Sequence, residues 1–466
     1  MCACTPQGGG ELLSPGDTNS GQPSIGSQDT QTGSTEDSGD PIEHVPGKTY
    51  ADVGVVMVHT DGGVSWSGET SAWMEVVRGH DGTLTDLASA SRTWDGPVGI
   101  EIHGSSSTGF PKLNYRIELR DELGEDSEHP LLGMNEESDF VFHGPYSDKS
   151  LIRNAIAYKV AGLMADDTGH WQPDTRWAEL FIDDSYQGAY LVVERVKRDD
   201  ERLDLQIPAQ THSEGDVSGG YILKIDQHRG DGWTTSRGTP IDYHYPKPED
   251  LTLAQTTYLQ SYFEDLEAGL NAATGATGDD SYGAWIDVES FIDTYLLNEL
   301  AMNIDGFRLS AYLYKTADEN GGLLAAGPAW DFNLGFGNAD YCDAWYTNGF
   351  SIDVIGGSCW VQDQYPFWWN RLRATESWET ATRCRWESIR ADALSDGQIS
   401  WMIGEYVAQL GVIEARDQAK WGTLGVYIWP NYFIGDTWME ELDYLEGWLI
   451  ERSQWLDATL PGTCDE

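Results

Sequence analysis

The apolar residues of this 466-residue chain change period along its length, and that change narrows the folds open to it. Between residues 50 and 119 they fall in short β-like runs, at 53–59, 72–78 and 98–103, separated by Asp, Gly and Ser turns. In the next run Leu113, Tyr115, Ile117 and Leu119 alternate with Lys112, Asn114, Arg116 and Glu118, which gives one apolar and one charged face. Further strands are expected at 176–182 and 190–194, joined by the hairpin turn Asp183-Asp184-Ser185-Tyr186-Gln187-Gly188, and at 219–226 and 311–315. Helical spacing predicts a helix over 148–165, capped by Ser147 or Asp148, and others over 251–272 and 286–302. From residue 367 the pattern is helical throughout, over 367–394 with an interruption, 399–414 and 438–456, after an irregular Gly-rich insertion at 340–366. No repeat or linker follows residue 50, so residues 50–466 read as one α+β unit, β-rich first and helical last.

Residues 6–47 carry almost no apolar side chains, cannot offset the entropy of ordering, and are expected to form, within 1–49, a flexible tether. Cys2 ahead of such a tether resembles a bacterial lipoprotein start, so a lipid anchor is one expectation for this end. No apolar run approaches the length needed to span a bilayer. The formal charge of −49 repels nucleic acid and anionic lipid, both of which are bound through Lys and Arg, and no nucleic-acid partner is expected. It suits a solvated, extracellular or cell-envelope monomer. Cys342, Cys359, Cys384 and Cys464 show no metal or redox spacing and are expected to form two disulfides; of the three connectivities open to them, Cys342 with Cys359 and Cys384 with Cys464 is preferred, because the first closes a local loop and the second pins the C-terminal tail.

Chemistry concentrates in residues 303–337. Asn303-Ile304-Asp305-Gly306 ends an apolar helix, and Trp330-Asp331-Phe332-Asn333-Leu334-Gly335-Phe336-Gly337 follows the hairpin, so two carboxylates are delivered from either side of a strand. They can serve a metal-bound phosphate or merely cap turns. Upstream, Gly104-Ser105-Ser106-Ser107 lies between two strands with Lys112 leading the second, an arrangement in which backbone amides and an ammonium can cover phosphate. Arg153 and Asn154 near a helix start are candidates of lower rank, and Glu194 is either a strand-end charge or a partner for a lysine or nucleotide. All 10 His residues precede position 245 without paired spacing, and there is no GxxxxGK[ST] loop, which argues against zinc hydrolases and P-loop enzymes. Nothing in the spacing singles out a carboxylate pair for glycoside hydrolysis.

In their order and spacing these segments resemble the spore coat protein H (CotH) kinase-like family. The resemblance is carried by 100–107 (IEIHGSSS) with 110–117 (FPKLNYRI), by Leu151-Ile152-Arg153-Asn154, by 188–194 (GAYLVVE), by the two acidic segments, and by 444–452 (YLEGWLIER). It implies an atypical protein-kinase-like fold that binds ATP and Mg2+ and phosphorylates protein serines. Within it Lys112 is implied on phosphate, Asp305 at the catalytic acid-base position and Asp331 with Asn333 on the metal. Gly104, Ser105, Ser106 and Glu194 complete the expected nucleotide contacts. Three positions depart from the family pattern: His103 where Arg is common, Ser310 where Asn is frequent, and Asn333 in place of the second acid of WDxD. Fewer anionic ligands loosen a metal site. Alternatives carried forward are a non-catalytic surface adhesion or scaffold module, and ATP-dependent adenylyl or amino-acid transfer.

Overall fold

Seven strands close on themselves because each is apolar on the face it turns inward. They are β1 (Gly54–Thr60), β2 (Thr70–Val77), β3 (Arg92–His103), β4 (Asn114–Leu119), β5 (Asp139–His143), β6 (Thr175–Ile182) and β7 (Ser185–Glu194). The computed structural model describes residues 48–49, 53–77, 85–86, 90–227, 230–272, 281–357, 359 and 365–464; most of the expected tether, with Cys2 and Cys4, lies outside them. The order around the barrel is β6-β7-β5-β4-β3-β2-β1, closed by the parallel pairing of β1 with β6, Gly54 opposite Ala178. Val56, Val58, Ile100, Tyr115, Ile117, Leu119, Phe140 and Phe142 fill the interior, so the alternation read in residues 112–119 is the inside and outside of this barrel. Burying each such side chain stabilises the fold by about 1.5–3 kcal/mol. β7 is buried on both faces, with Tyr190 and Val192 inside and Ala189, Leu191 and Val193 against the helical layer.

A second sheet has the order β9-β10-β8-β11-β12, built from β8 (Tyr221–Ile225), β9 (Gly232–Thr234), β10 (Pro240–Tyr245), β11 (Ala311–Lys315) and β12 (Leu324–Ala326). Around it lie α1 (Arg153–Thr168), α2 (Leu253–Ala272), α3 (Val288–Ala301), α4 (Ser351–Gly357), α5 (Trp368–Leu372), α6 (Glu376–Ala391), α7 (Asp396–Trp421) and α8 (Trp438–Thr459). α3 is the centre of this layer. Its Leu296 and Leu300 are fully buried, and Arg452 of α8 donates to the Glu299 carbonyl at 2.9 and 2.6 Å. The described elements after residue 350 are all helical, which makes the α+β reading correct at the level of architecture. Among the described residues no helix is long and apolar enough to cross a membrane.

Several boundaries differ from expectation for local reasons. α1 begins at Arg153, because Asp148 reaches the Arg153 amide at 2.8 Å from outside the helix instead of capping it at 148. The six-residue hairpin turn is only Asp183-Asp184, both left-handed (φ 47° and 62°), and β7 starts at Ser185. The supposedly irregular insertion contains α4, and α7 runs on past 414 to Trp421. Both expected disulfides form, Cys342 with Cys359 and Cys384 with Cys464. Each contributes on the order of 3–5 kcal/mol by restricting the unfolded chain, the 80-residue closure more than the 17-residue one.

The extension of α7 matters, since its last turns dock on the barrel through buried charge. Arg416 forks onto Glu179 of β6 at 2.9 and 2.6 Å, and Asp417 accepts from Lys112 at 2.6 Å. Removing one partner of such a pair strands the other charge in low dielectric. Glu179→Ala is therefore expected to cost about 3–5 kcal/mol in urea unfolding. The double variant Glu179→Leu with Arg416→Met should recover most of it; equal losses in both would show that the pair is not what docks α7.

Candidate active site

The first wall of the site is the turn between β3 and β4. Gly104 sits at φ 109°, and a Cβ there would fall 2.1 Å from Ser107 Oγ, so only glycine lets the turn fold back on itself. A short helical turn, Ser106–Gly109, follows. Below it the barrel register sets His103 opposite Asn114 and brings His143 beside Asn114, a polar row across β3, β4 and β5. Asn114 is fixed by accepting from the Gly144 amide at 2.7 Å. Burial pushes both imidazoles down to about 4, for His103 helped by Arg195, Arg116 and Lys224, so both are neutral at physiological pH. His143 Nε2 is buried with no hydrogen-bond partner among the described residues.

The second wall comes from the helical layer. α3 ends as Met302 turns left-handed (φ 47°), and the Asp305 amide bonds Asn303 Oδ1 at 3.2 Å. A Cβ on Gly306 would lie 1.7 Å from Asn298 Oδ1, which is why glycine follows the acid. The Asp305 carboxylate is gripped by the Arg308 guanidinium. Across from it Asp331 also lies in the left-handed region (φ 64°), a strained conformation for a non-glycine residue. α1 holds it there: Tyr158 OH accepts from the Asp331 amide at 3.4 Å and Asn154 Oδ1 from the Phe332 amide at 2.7 Å. Arg153, tied to Asp148 at 2.6 Å, reaches the Phe336 carbonyl at 3.4 Å and so steadies the same loop.

These walls enclose one cavity of about 140 Å3, lined by Gly104, Ser105, Ser106, Asp305, Asp331 and Asn333 together with His103 and His143, and bounded by Trp429 and Pro430. Asp331 is open to the cavity yet ringed by protein. That surround, with the nearby carboxylates of Asp305 and Asp226, pushes it up to about 6, opposed only by a long 3.5 Å contact from Ser310. Burial also raises Asp305, offset by Arg308. Among the described residues Asp331 has no ionic partner. A carboxylate strained into place beside two other acids is suited to a cation, and Asn333 supplies a neutral oxygen on the same cavity. Among the described residues no Lys or Arg lines the cavity, so an anion entering it meets amides, hydroxyls and neutral imidazoles there. The donor set fits a metal-bound anion better than a bare one.

Two expected site residues lie elsewhere. Lys112 is sealed behind the wall: its ammonium is fully buried, bonded to Asp417 and 5.4 Å from the Tyr190 ring centroid. Burial lowers its affinity for the proton and Asp417 restores part of it. Glu194 turns away, accepting from the Asp174 amide at 2.9 Å. Sequence reading missed Asp417, because the helix was expected to stop at 414 and a helical acid ordinarily faces solvent. It also missed Asp226, whose position after β8 has the same form as that of Asp305 after α3. One sign for Asp417 was present in Gly188 (φ 106°), where a Cβ would lie 2.2 Å from Asp417 Oδ1; the glycine makes room for that acid.

Residues 100–456 match the family model described as CotH kinase protein, from within β3 to within α8. The chain belongs to this family. The match includes the turn, both acidic segments and the α7 residues that meet Lys112, so the CotH core spans barrel and helical layer alike. No curated protein matches the chain. Against the CotH pattern, His103 lines the cavity uncharged, Ser310 faces Asp331 at long range, and Asn333 brings a neutral side chain to the cavity.

The raised Asp331 has a consequence for stability. Its ordinary value is 3.8 and its folded value about 6, so ionising it opposes folding. That opposition begins above about pH 4, is complete above about pH 6, and is relieved as pH falls between them. Asp331→Asn is expected to raise the thermal midpoint at pH 7.5 and to lose the gain progressively toward pH 4. A midpoint that is unchanged or lower at pH 7.5 would contradict this electrostatic picture.

Proposed function

We propose that this CotH chain is a kinase-like enzyme that binds Mg2+ and ATP and transfers a phosphoryl group to a serine or threonine hydroxyl of another protein. The observation that carries the reading is the convergence of the Gly104–Ser107 turn, Asp305, Asp331 and Asn333 on one cavity between barrel and helices. Asp331 and Asn333 are the groups placed to hold the metal. Bound there, the metal would neutralise phosphate charge, a task for which the described lining offers no Lys or Arg. The turn presents amides and hydroxyls to the phosphates. Asp305, raised by burial but kept in place by Arg308, orients the acceptor hydroxyl and takes its proton. Lys112 acts as the strand lysine of this arrangement, with Asp417 as its helical acid; the pair fixes the strand that follows the turn. The two disulfides are compatible with an extracellular protein, and a lipid anchor at Cys2 belongs to the same proposal.

Isothermal titration of ATP tests the assignment. Binding is expected with Mg2+ and not with EDTA, because the described lining carries no Lys or Arg. Asp331→Ala should weaken Mg-ATP about 100-fold. Asp305→Asn should leave that affinity within about threefold while lowering turnover about 10²–10⁴-fold, followed as phosphate on the acceptor by mass spectrometry. No binding at millimolar Mg-ATP would instead favour the adhesion or scaffold reading, for which the sealed Lys112 is the supporting feature. Transfer of a nucleotide in place of phosphate would point to adenylylation.

A further inference from the structure

α8 carries a second groove, separate from the cavity of the acids. Its lining includes Trp345, Tyr346, Tyr432 and Tyr444 with the carboxylates of Asp443 and Glu451, and it encloses about 390 Å3. Trp345 stacks on Tyr432 with centroids 5.0 Å apart and planes 8° from parallel, and Tyr346 leans on Trp345 with centroids 5.0 Å apart; Tyr346 and Tyr432 remain 49% and 48% exposed. The rings do not sway freely. Trp448 Nε1 donates to the Trp345 carbonyl at 2.9 Å, and Arg452, buried against Glu299, donates to the Thr347 carbonyl at 3.1 Å.

Asp443, Gly447 and Glu451 are spaced i, i+4, i+8 and so form one stripe along α8, about 12 Å from acid to acid. Gly447 lies inside a 22-residue helix, where glycine weakens it, yet a Cβ there would touch nothing within 4 Å. Packing does not require this glycine; its effect is to leave the groove floor open between the two acids. Neither carboxylate has an ionic partner among the described residues, although Glu451 Oε1 accepts from Thr347 Oγ1 at 2.9 Å. From residue 423 to 451 the sequence contains no Lys or Arg.

We propose that this groove binds an extended, basic segment of another protein, with lysine or arginine side chains laid against the aromatic rings and paired with Asp443 and Glu451. Aromatic faces and carboxylates attract the same organic cations, and the groove is open along its length, as a continuing chain requires. An extended strand covers about 13 Å in four residues and returns side chains to the same side, so basic residues spaced i and i+4 come within reach of the two acids.

The probe is the peptide acetyl-Lys-Ala-Gly-Ala-Lys-amide, titrated calorimetrically into the full chain without nucleotide, so that the outcome is independent of the catalytic proposal. Saturable binding is expected, weakened about tenfold by Tyr432→Ala and by Glu451→Gln. Gly447→Leu should abolish binding without loss of thermal stability, since it fills the floor with a better helix former. The same peptide with norleucine at both ends should not bind. Equal binding of the norleucine peptide, no saturation by the lysine peptide, or an effect of Gly447→Leu only through unfolding would overturn the proposal. So would choline binding in the absence of peptide binding, which would mark the groove as a site for a free ammonium compound.

Discussion

The buried pair between Lys112 and Asp417 is the contact on which the rest of the structure depends. Lys112 stands just before β4, a few residues after the Gly-Ser turn, and Asp417 stands near the end of α7, so their 2.6 Å bond helps tie the barrel to the helical layer. Asp417 also accepts from the Ala189 amide of β7 at 2.8 Å, and Gly188 lacks the Cβ that would block its approach. Two charges taken out of water are costly unless geometry and further hydrogen bonds compensate. Here a backbone amide supplies part of that compensation. Arg416 and Glu179, one residue and one strand away, repeat the device.

With the layers fixed in that way, the acids face the turn across a shared cavity. The site is built on strain and repulsion: Asp331 is held in a left-handed conformation, and its charge is opposed by Asp305 and Asp226. Such an arrangement persists only because α1 over-determines it through Tyr158, Asn154 and Arg153. Asn154 and Tyr158 also line the cavity, whereas Arg153 steadies the loop without lining it. With no Lys or Arg among the described residues of the lining, the proposed chemistry depends on a metal for charge neutralisation, and the neutral His103 accentuates that dependence.

The acidic surface has a related consequence. A net charge of −49 is carried largely by solvated acids, while the buried Glu137, Asp148, Glu179, Glu299 and Asp417 are each paired with a cation. Where acids are left unpaired beside exposed rings, as on α8, the same charge becomes a preference for cationic partners.

Much of this was written in local pattern. Alternation in residues 112–119 and helical spacing after 286 determined the α+β class and most elements, and the even count of late cysteines pointed to two disulfides, since each depends on near neighbours or on a simple parity; which cysteines pair was a preference among three connectivities that the packed chain resolved. The glycine-bounded acids Asp305 and Asp331 were legible for the same reason: a helix end and a turn are local events. What tertiary structure decided is which charges meet. Lys112 and Asp417 are 305 residues apart, and no spacing rule links them. An ammonium that looked free to hold phosphate was instead consumed by a helix whose last turns sequence patterning had not reached. Burial and partner choice are properties of the packed layers, and they alone separate a lysine that faces a ligand from one that holds the walls together.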